Sequence, residues 1–398
     1  MKRNILMYTL TSSSFVCPML WGGLYVDPVG EVRPCCVGPV AGNLHSASLQ
    51  KIWNSDTMQS CRERMLQGER IPECSVCYDQ EDRGVGSVRL NYIKEFESRE
   101  LPLTGSIKSS FKPRIIDLRF SNLCNLKCRS CWPGNCSRWQ VELGLPKGMK
   151  IVDDSQRDEL KYMVQSNLND LIEIYFAGGE PTLIEEDWEI LKTCVLLQKT
   201  NIHLRYSTNL MNLTFKGQSI LDWWERWLKR GGKLDIHISV DGVGKVVEYV
   251  RTGVKWKILD SNIRKVVSRL GKYPNCLITF SPVVSTLNVL HVPDLLDYAK
   301  ELGLQDWQVS LNNILIQPRC LNIRNFTDKA KETVRKELEA TCIEGHKQTY
   351  KDLVFVRLNE FHEYWDDLFH EECAFSYGED FNKLNPPLAN WWLDSKLT

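Results

Sequence analysis

Short apolar runs and amphipathic stretches alternate through the middle of the chain. Arg114–Phe120, Leu171–Ala177, Ile202–Thr208, Leu234–Val240, Leu277–Val284 and Trp307–Ile314 are short and apolar enough to read as strands. Between them Ser155–Leu168, Ile184–Leu197, Ser219–Leu228, Lys257–Leu270 and Val292–Leu302 carry apolar residues at helical spacing. Six strands alternating with helices predict an α/β fold with a parallel sheet, open or curled into a partial barrel. From about Thr327 the pattern is mostly helical, with Trp391-Trp392 near its end. Ser98–Lys112, rich in Ser, Pro, Gly and charge, reads as a linker ahead of the first strand. The aromatics of Trp223-Trp224-Glu225-Arg226-Trp227 fall at helical intervals and are expected in packing.

Two of the runs are polar on one face. Strand alternation puts Asp235, His237, Ser239 and Asp241 on one side of the fourth run, and Leu234, Ile236, Ile238 and Val240 on the other. Arg205, Ser207 and Asn209 repeat the pattern on the third. A polar strand face suits a ligand-filled lumen. In parallel α/β sheets chemistry sits at the carboxyl ends of the strands. There the first run leads into Cys124-Asn125-Leu126-Lys127-Cys128-Arg129-Ser130-Cys131, and the second into Gly178-Gly179-Glu180-Pro181. The third ends at Ser207-Thr208-Asn209 and the fourth at Ser239-Val240-Asp241-Gly242.

With 398 residues, two or three domains are expected. Lys+Arg and Asp+Glu both number 50, so no extended cationic surface for nucleic acid is expected. RNA modification, which would ask for basic strand ends, gains no support. No apolar run approaches the roughly 18 residues of a membrane span, and Thr11–Ser14 interrupts any signal-peptide core after Met1–Leu10. A cytoplasmic protein is expected. Fifteen cysteines then stand out. They fall well short of the roughly 8–10% of a disulfide scaffold, and a reducing compartment directs a surplus to metal or catalysis.

Ten of the cysteines lie in two groups: Cys17, Cys35, Cys36, Cys61, Cys74 and Cys77, then Cys124, Cys128, Cys131 and Cys136. Cys61, Cys194, Cys276, Cys320, Cys342 and Cys373 read as buried thiols, though Cys136 and Cys373 are the hardest to set aside. Cys124, Cys128 and Cys131 form a C-x3-C-x2-C run. Three thiolates this close can hold three irons of one cubane and leave the fourth open; zinc would need a fourth ligand, for which Cys136 could serve. Near the amino terminus, Gly30 is expected to turn a hairpin between Leu24–Val26 and Val32 that brings Cys35 near Cys17. Cys74-x2-Cys77 completes two separated thiol pairs, able to close a shell around a cluster or around zinc.

With its cysteine run and its Gly178–Pro181 turn, the chain resembles the radical S-adenosylmethionine (SAM) superfamily, in particular members with a SPASM or twitch auxiliary domain. The likeness covers roughly Ile115–Gln317 and Cys17–Glu81. It implies a 4Fe–4S cluster on Cys124, Cys128 and Cys131 whose open iron binds SAM, and reductive cleavage of SAM to a 5′-deoxyadenosyl radical that abstracts a substrate hydrogen. It also implies SAM contacts at Gly178, Gly179, Glu180 and Pro181, where glycine lets backbone carbonyls approach the ammonium. By the same resemblance Ser239 and Arg251 hold the SAM carboxylate, with Ser207 and Asn209 nearby. Where the family has an aromatic before the third cysteine, this chain has Ser130, and Trp132 is the substitute expected to meet the adenine. An auxiliary 4Fe–4S cluster is implied on Cys17, Cys35, Cys74 and Cys77, with adjacent Cys36 an alternative to Cys35. Sulfatase-maturing relatives carry a proton-accepting Asp after this cysteine; Cys36 stands there, so no catalytic residue is assigned. The seven-cysteine SPASM pattern breaks at Arg83, which leaves one auxiliary cluster.

The expected architecture is a SPASM/twitch-like domain over residues 1–97, a linker over 98–112, a partial (β/α)6 barrel over 113–320 and a helical extension over 321–398. The expected function is radical modification or oxidation of a peptide or protein side chain, with the auxiliary cluster as electron acceptor and a donor such as flavodoxin or ferredoxin. A small molecule, such as an amino sugar or nucleoside, is the alternative substrate. A zinc-stapled binding module without redox chemistry is the alternative class.

Overall fold

The computed structural model describes residues 15–82, 84, 86–101, 106–311, 313–342, 344–359 and 385–388. Met1–Leu10, Arg83, Cys373 and Trp391-Trp392 lie outside these. The chain forms two compact units. One takes the chain up to Leu123, then Gly144–Tyr206 and Arg226–Leu234; the other takes Cys124–Leu143, Ser207–Glu225 and Asp235 onward. Among the described residues no helix is long and apolar enough to cross a membrane.

In the first unit the strands Gly23–Val26, Ile115–Leu118, Glu173–Phe176 and His203–Tyr206 pair in parallel. Leu24, Ile116, Ile174 and Leu204 stand side by side in this register and are all buried, each contributing about 1.5–3 kcal/mol. The neighbouring row, Tyr25, Asp117, Tyr175 and Arg205, faces the opposite way because side chains alternate along a strand. Helices Asp154–Asn167 and Glu185–Leu196 complete the strand–helix alternation within one residue of the sequence pattern. The first begins at a reciprocal cap, in which Asp153 and Gln156 each accept the other's backbone N–H at 2.9 Å. Arg157–Glu186 at 3.1 Å and Lys161–Glu189 at 3.0 Å link the two helices.

The predicted hairpin is present: Gly23–Val26 turns back antiparallel onto Glu31–Arg33, which pairs with Gly42–Asn43. Asp27 makes the turn, its Oδ1 accepting the N–H groups of Val29 and Glu31, and Gly30 follows at φ +81°, where a side chain would be strained. The sequence pattern did not place Gly23–Val26 in the same sheet as Ile115–Leu118. Helices Asp56–Leu66, Ser75–Asp82 and Val88–Ser98 follow this hairpin in the chain. Buried Arg62, on the first of these, donates to the carbonyls of Leu20 at 2.8 Å and Ile107 at 3.2 Å.

In the second unit, backbone bonds run from Ser239 to Thr208, from Ser281 to Ile238 and from Ser310 to Phe280. Helices Trp256–Leu270 and Val292–Glu301 follow their strands as the periodicity predicts. The expected strand over Trp307–Ile314 is reduced to two isolated parallel bridges, Phe280 to Val309 and Val284 to Ile314. A tight turn over Asp306–Gln308, capped reciprocally by Gln305 and Gln308, takes up its first residues. Helices Asp328–Thr341 and Gly345–Leu358 come next, and the Tyr350 hydroxyl donates to the Val289 carbonyl at 2.6 Å. Trp224 and Trp227 are fully buried, in line with a packing role.

Candidate metal centres

The Cys124–Cys131 loop is held from several sides. Cys128 pairs with Arg251, and Lys127 with Thr252, in a short antiparallel bridge. The Cys128 carbonyl accepts from Trp139 Nε1 at 2.8 Å and from the Cys131 N–H at 3.0 Å, while the Cys124 N–H donates to Ser137 Oγ at 3.1 Å. Three N–H groups face the sulfurs. Arg251 Nη1 lies 3.9 Å from Cys128 Sγ, Asn209 Nδ2 3.9 Å from Cys124 Sγ, and the Leu126 N–H 3.5 Å from Cys124 Sγ. Such donors stabilise thiolate over thiol. Burial nonetheless pushes the Cys128 thiol up to about 11, the Arg251 guanidinium opposing the rise. A buried thiol that ionises only with a partner is what iron ligation asks for.

Arg251 is itself positioned by Asp241, with Nε 2.7 Å from Oδ2 and Nη2 3.2 Å from Oδ1. Both side chains are buried, and the Val283 N–H also reaches Asp241 Oδ1 at 2.8 Å. The sequence singled out Arg251 and placed Asp241 on the polar strand face, without linking the two. Asn209 is anchored through Asn125 Oδ1 at 2.8 Å. Ser207 and Ser239 are half-buried where the second unit's strands end. The Trp132 indole lies over Gly134, where a Cβ would stand 2.3 Å from the ring, and is 37% exposed. Cys136, read from spacing as the possible fourth ligand of zinc, is buried, its thiol donating to the Leu126 carbonyl at 3.2 Å. The neighbouring Cys124 and Cys131 thiols draw the Cys136 thiol down, and Cys136 in turn pushes Cys131 up.

In the first unit, the Gly178–Pro181 turn packs on Leu123, the residue that precedes Cys124 in the chain. A Cβ on Gly179 would sit 2.2 Å from the Leu123 carbonyl oxygen, the acceptor of the Glu180 N–H at 2.8 Å. Gly178 has φ +85° and presses on Arg119. Glu180 is buried, its Oε1 accepting from the Thr182 hydroxyl at 2.8 Å. Gly179→Ala should therefore displace this turn. We expect a loss of stability on the order of 1–3 kcal/mol, read as a lowered midpoint of thermal unfolding.

The amino-terminal cysteines also converge. The Cys17 thiol is pushed well up, by burial first and then by the nearby Cys35, Cys74 and Cys77 thiols. Burial lifts Cys35 and Cys74 to about 12 each, with Cys77 adding to both. Helix Ser75–Asp82, which carries Cys77, is tied to the Cys17 segment by Tyr78 Oη donating to the Phe15 carbonyl at 3.0 Å. Arg89 adds a bond to the Val16 carbonyl at 3.0 Å. Cys36 is exposed, with Asp117 and Arg119 as its leading charged neighbours, and it is the first charged influence on Cys35. Buried Cys61, set aside in the sequence, is the first charged influence on Cys74. The same unit holds a polar row, Tyr25, Asp117, Tyr175 and Arg205, of which the sequence pattern singled out Arg205 alone. Arg119 pairs with Asp117 at 3.2 Å and lies over the Tyr25 ring, and Arg205 pairs with Glu173 at 3.2 Å.

Among the described residues no three or more His, Cys, Asp or Glu side chains are grouped to hold a single metal ion. A cubane makes a different demand, since each thiolate takes its own iron. Two sets of buried and half-buried thiols, one with N–H donors aimed at its sulfurs, fit that demand.

The family comparisons agree with this chemistry. The Radical SAM superfamily model matches residues 118–299, and SPASM, an iron–sulfur cluster-binding domain, matches residues 17–78. The chain thus contains a radical SAM domain together with a SPASM domain. Its SPASM domain lies at the amino-terminal side, ahead of the radical SAM domain. No curated protein matches the chain. Among solved structures, a hexahistidine-tagged anSMEcpe with bound AdoMet is 22% identical, covers 57% of each chain and has a TM-score of 0.37. "Structure of TYW1 with a lysine-pyruvate adduct bound" is 12% identical over 48% of this chain and 60% of the other, with a TM-score of 0.28. The chain thus spans less than two thirds of the length of either structure.

Proposed function

We propose that this enzyme binds SAM at a 4Fe–4S cluster on Cys124, Cys128 and Cys131 and abstracts a hydrogen atom from a peptide or protein side chain. A second 4Fe–4S cluster, on Cys17, Cys35, Cys74 and Cys77, is read as the electron acceptor. The observation that carries the reading is the pair of side-chain N–H donors, from Arg251 and Asn209, aimed at Cys128 and Cys124. Iron–sulfur clusters and SAM-dependent radical chemistry follow from the family. Reduced by one electron, from a donor such as flavodoxin or ferredoxin, the first cluster supplies the cleavage of SAM to the 5′-deoxyadenosyl radical.

The chain's own residues then have distinct parts. Arg251, oriented by Asp241, stabilises the Cys128 thiolate and is assigned with Ser239 to the SAM carboxylate. Asn209 does the same for Cys124, with Ser207 beside it in the chain. Gly178, Gly179, Glu180 and Pro181 are assigned to the SAM ammonium on the family resemblance, and Trp132 to the adenine. The row Tyr25, Asp117, Tyr175 and Arg205 offers hydrogen bonds and charge to a polar substrate. The peptide or protein substrate is read from the company of a SPASM domain. The domains proposed are residues 1–97, a partial (β/α)6 barrel over 113–320 and a helical extension over 321–398.

The test uses anaerobically reconstituted protein, reduced and mixed with SAM. About eight irons per chain, as two four-iron clusters require, and released 5′-deoxyadenosine are expected. Zinc in place of iron with SAM intact would return the protein to a binding module. Cys74→Ala should lower iron to about four and keep SAM cleavage, yet block turnover of substrate. Undiminished turnover would remove the auxiliary cluster from the reaction.

A further inference from the structure

Arg119 has no part in the function proposed above, yet the first unit builds a mount for it. It stands just past the strand Ile115–Leu118, at the carboxyl end where parallel sheets bind ligands. Its backbone N–H donates to the Val26 carbonyl at 2.9 Å. Asp117, two residues earlier on the same face, takes one edge of the guanidinium, with Nε 3.2 Å from Oδ1 and Nη2 3.3 Å from Oδ2. Tyr25, beside Asp117 in the sheet register, covers one face of the guanidinium, 4.9 Å from the ring centre. Gly178 presses on the stem, where a Cβ would meet Arg119 Cβ at 2.4 Å. Stem, face and one edge of a permanently charged group are therefore fixed.

The other edge is open. A guanidinium carries five N–H groups, and Asp117 accepts two of them. Among the described residues Arg119 Nη1 has no hydrogen-bond partner, and neither has the Tyr25 hydroxyl. The Arg119 side chain is 20% exposed. Parallel N–H donors in one plane match the two oxygens of a carboxylate. Asp117 already offsets the cation, which suits a ligand of single negative charge better than a phosphate dianion.

We infer that Arg119 and Tyr25 form a clamp for a carboxylate of the substrate, carried by an acidic side chain or by a chain terminus. This deepens the peptide or protein reading of the function and rests on it.

The test measures binding to anaerobically reconstituted protein by saturation-transfer difference NMR, with three probes. N-acetylglutamic acid α-amide carries only a side-chain carboxylate, N-acetylglutamine only a terminal one, and N-acetylglutamine amide neither. At least one of the first two should bind and the third should not, and the tighter of the two names the source of the carboxylate. Arg119→Gln should weaken binding roughly tenfold or more, and Tyr25→Phe, which keeps the ring against the guanidinium, about threefold. Circular dichroism checks the fold of each variant, and Tyr25→Phe carries the test if Arg119→Gln does not fold. Failure of both carboxylate probes to bind, equal binding of all three, or undiminished binding by the folded variants overturns the inference. Displacement of the probe by saturating SAM also overturns it, since the clamp would then belong to the cofactor's own carboxylate. Iron and 5′-deoxyadenosine are measured on the same protein. Their absence would sink the underlying reading and this inference with it, whereas their presence without probe selectivity sinks the inference alone.

Discussion

Cys128→Ala is expected to abolish SAM cleavage while leaving the rest of the protein folded. Cys128 is the middle cysteine of the loop and is held on several sides. Its backbone is paired with Arg251, its carbonyl takes two hydrogen bonds, and its sulfur faces a guanidinium 3.9 Å away. Alanine keeps the backbone bonds and removes only the sulfur, so two thiolates are left where three irons need holding. The measurement is 5′-deoxyadenosine released by reduced protein in the presence of SAM, with Cys74→Ala as the parallel. Iron should halve in both variants, and cleavage should vanish only in Cys128→Ala. Sustained cleavage by Cys128→Ala would sink the assignment of the SAM cluster to this loop.

Local signals carried most of the elements. An apolar run bounded by turns reads as a buried strand wherever it pairs, so Leu171–Ala177 is legible as the strand Glu173–Phe176. Helix periodicity and caps are equally local, and Asp153 with Gln156 marks a helix start in the sequence as in the structure. Partners far along the chain leave no such mark. Gly23–Val26 is four residues long, and nothing near it announces a parallel neighbour at Ile115–Leu118. The same holds within the site. The C-x3-C-x2-C spacing is visible at once, and so is Arg251 once the family resemblance is drawn. The pairing of Arg251 with Asp241, the anchoring of Asn209 by Asn125 and the burial of Cys136 against the Leu126 carbonyl are tertiary facts. Cys61 and Cys36 show the limit most plainly: identical residues in one cluster, one buried beside Cys74 and one turned toward Asp117 and Arg119.

The buried pair of Arg251 and Asp241 allows structural and chemical roles to be separated. Arg251→Met leaves the Asp241 carboxylate buried with the Val283 N–H but no cation. Stranding one partner of a buried ion pair costs about 3–5 kcal/mol, a fall of roughly 10 °C in Tm for a unit of this size. Replacing both partners by apolar residues removes the stranded charge, and such exchanges are often neutral or stabilising. Arg251→Met/Asp241→Leu should accordingly recover most of the lost Tm and bind iron. It should still fail to cleave SAM, because no N–H faces Cys128 and no cation is left to meet the SAM carboxylate. Thermal unfolding and 5′-deoxyadenosine release, measured on the single and double variants together, decide between the two roles. A double variant that regains both stability and cleavage would make Arg251 a structural residue alone. Recovery of stability without cleavage would place it among the groups that hold the cluster and SAM.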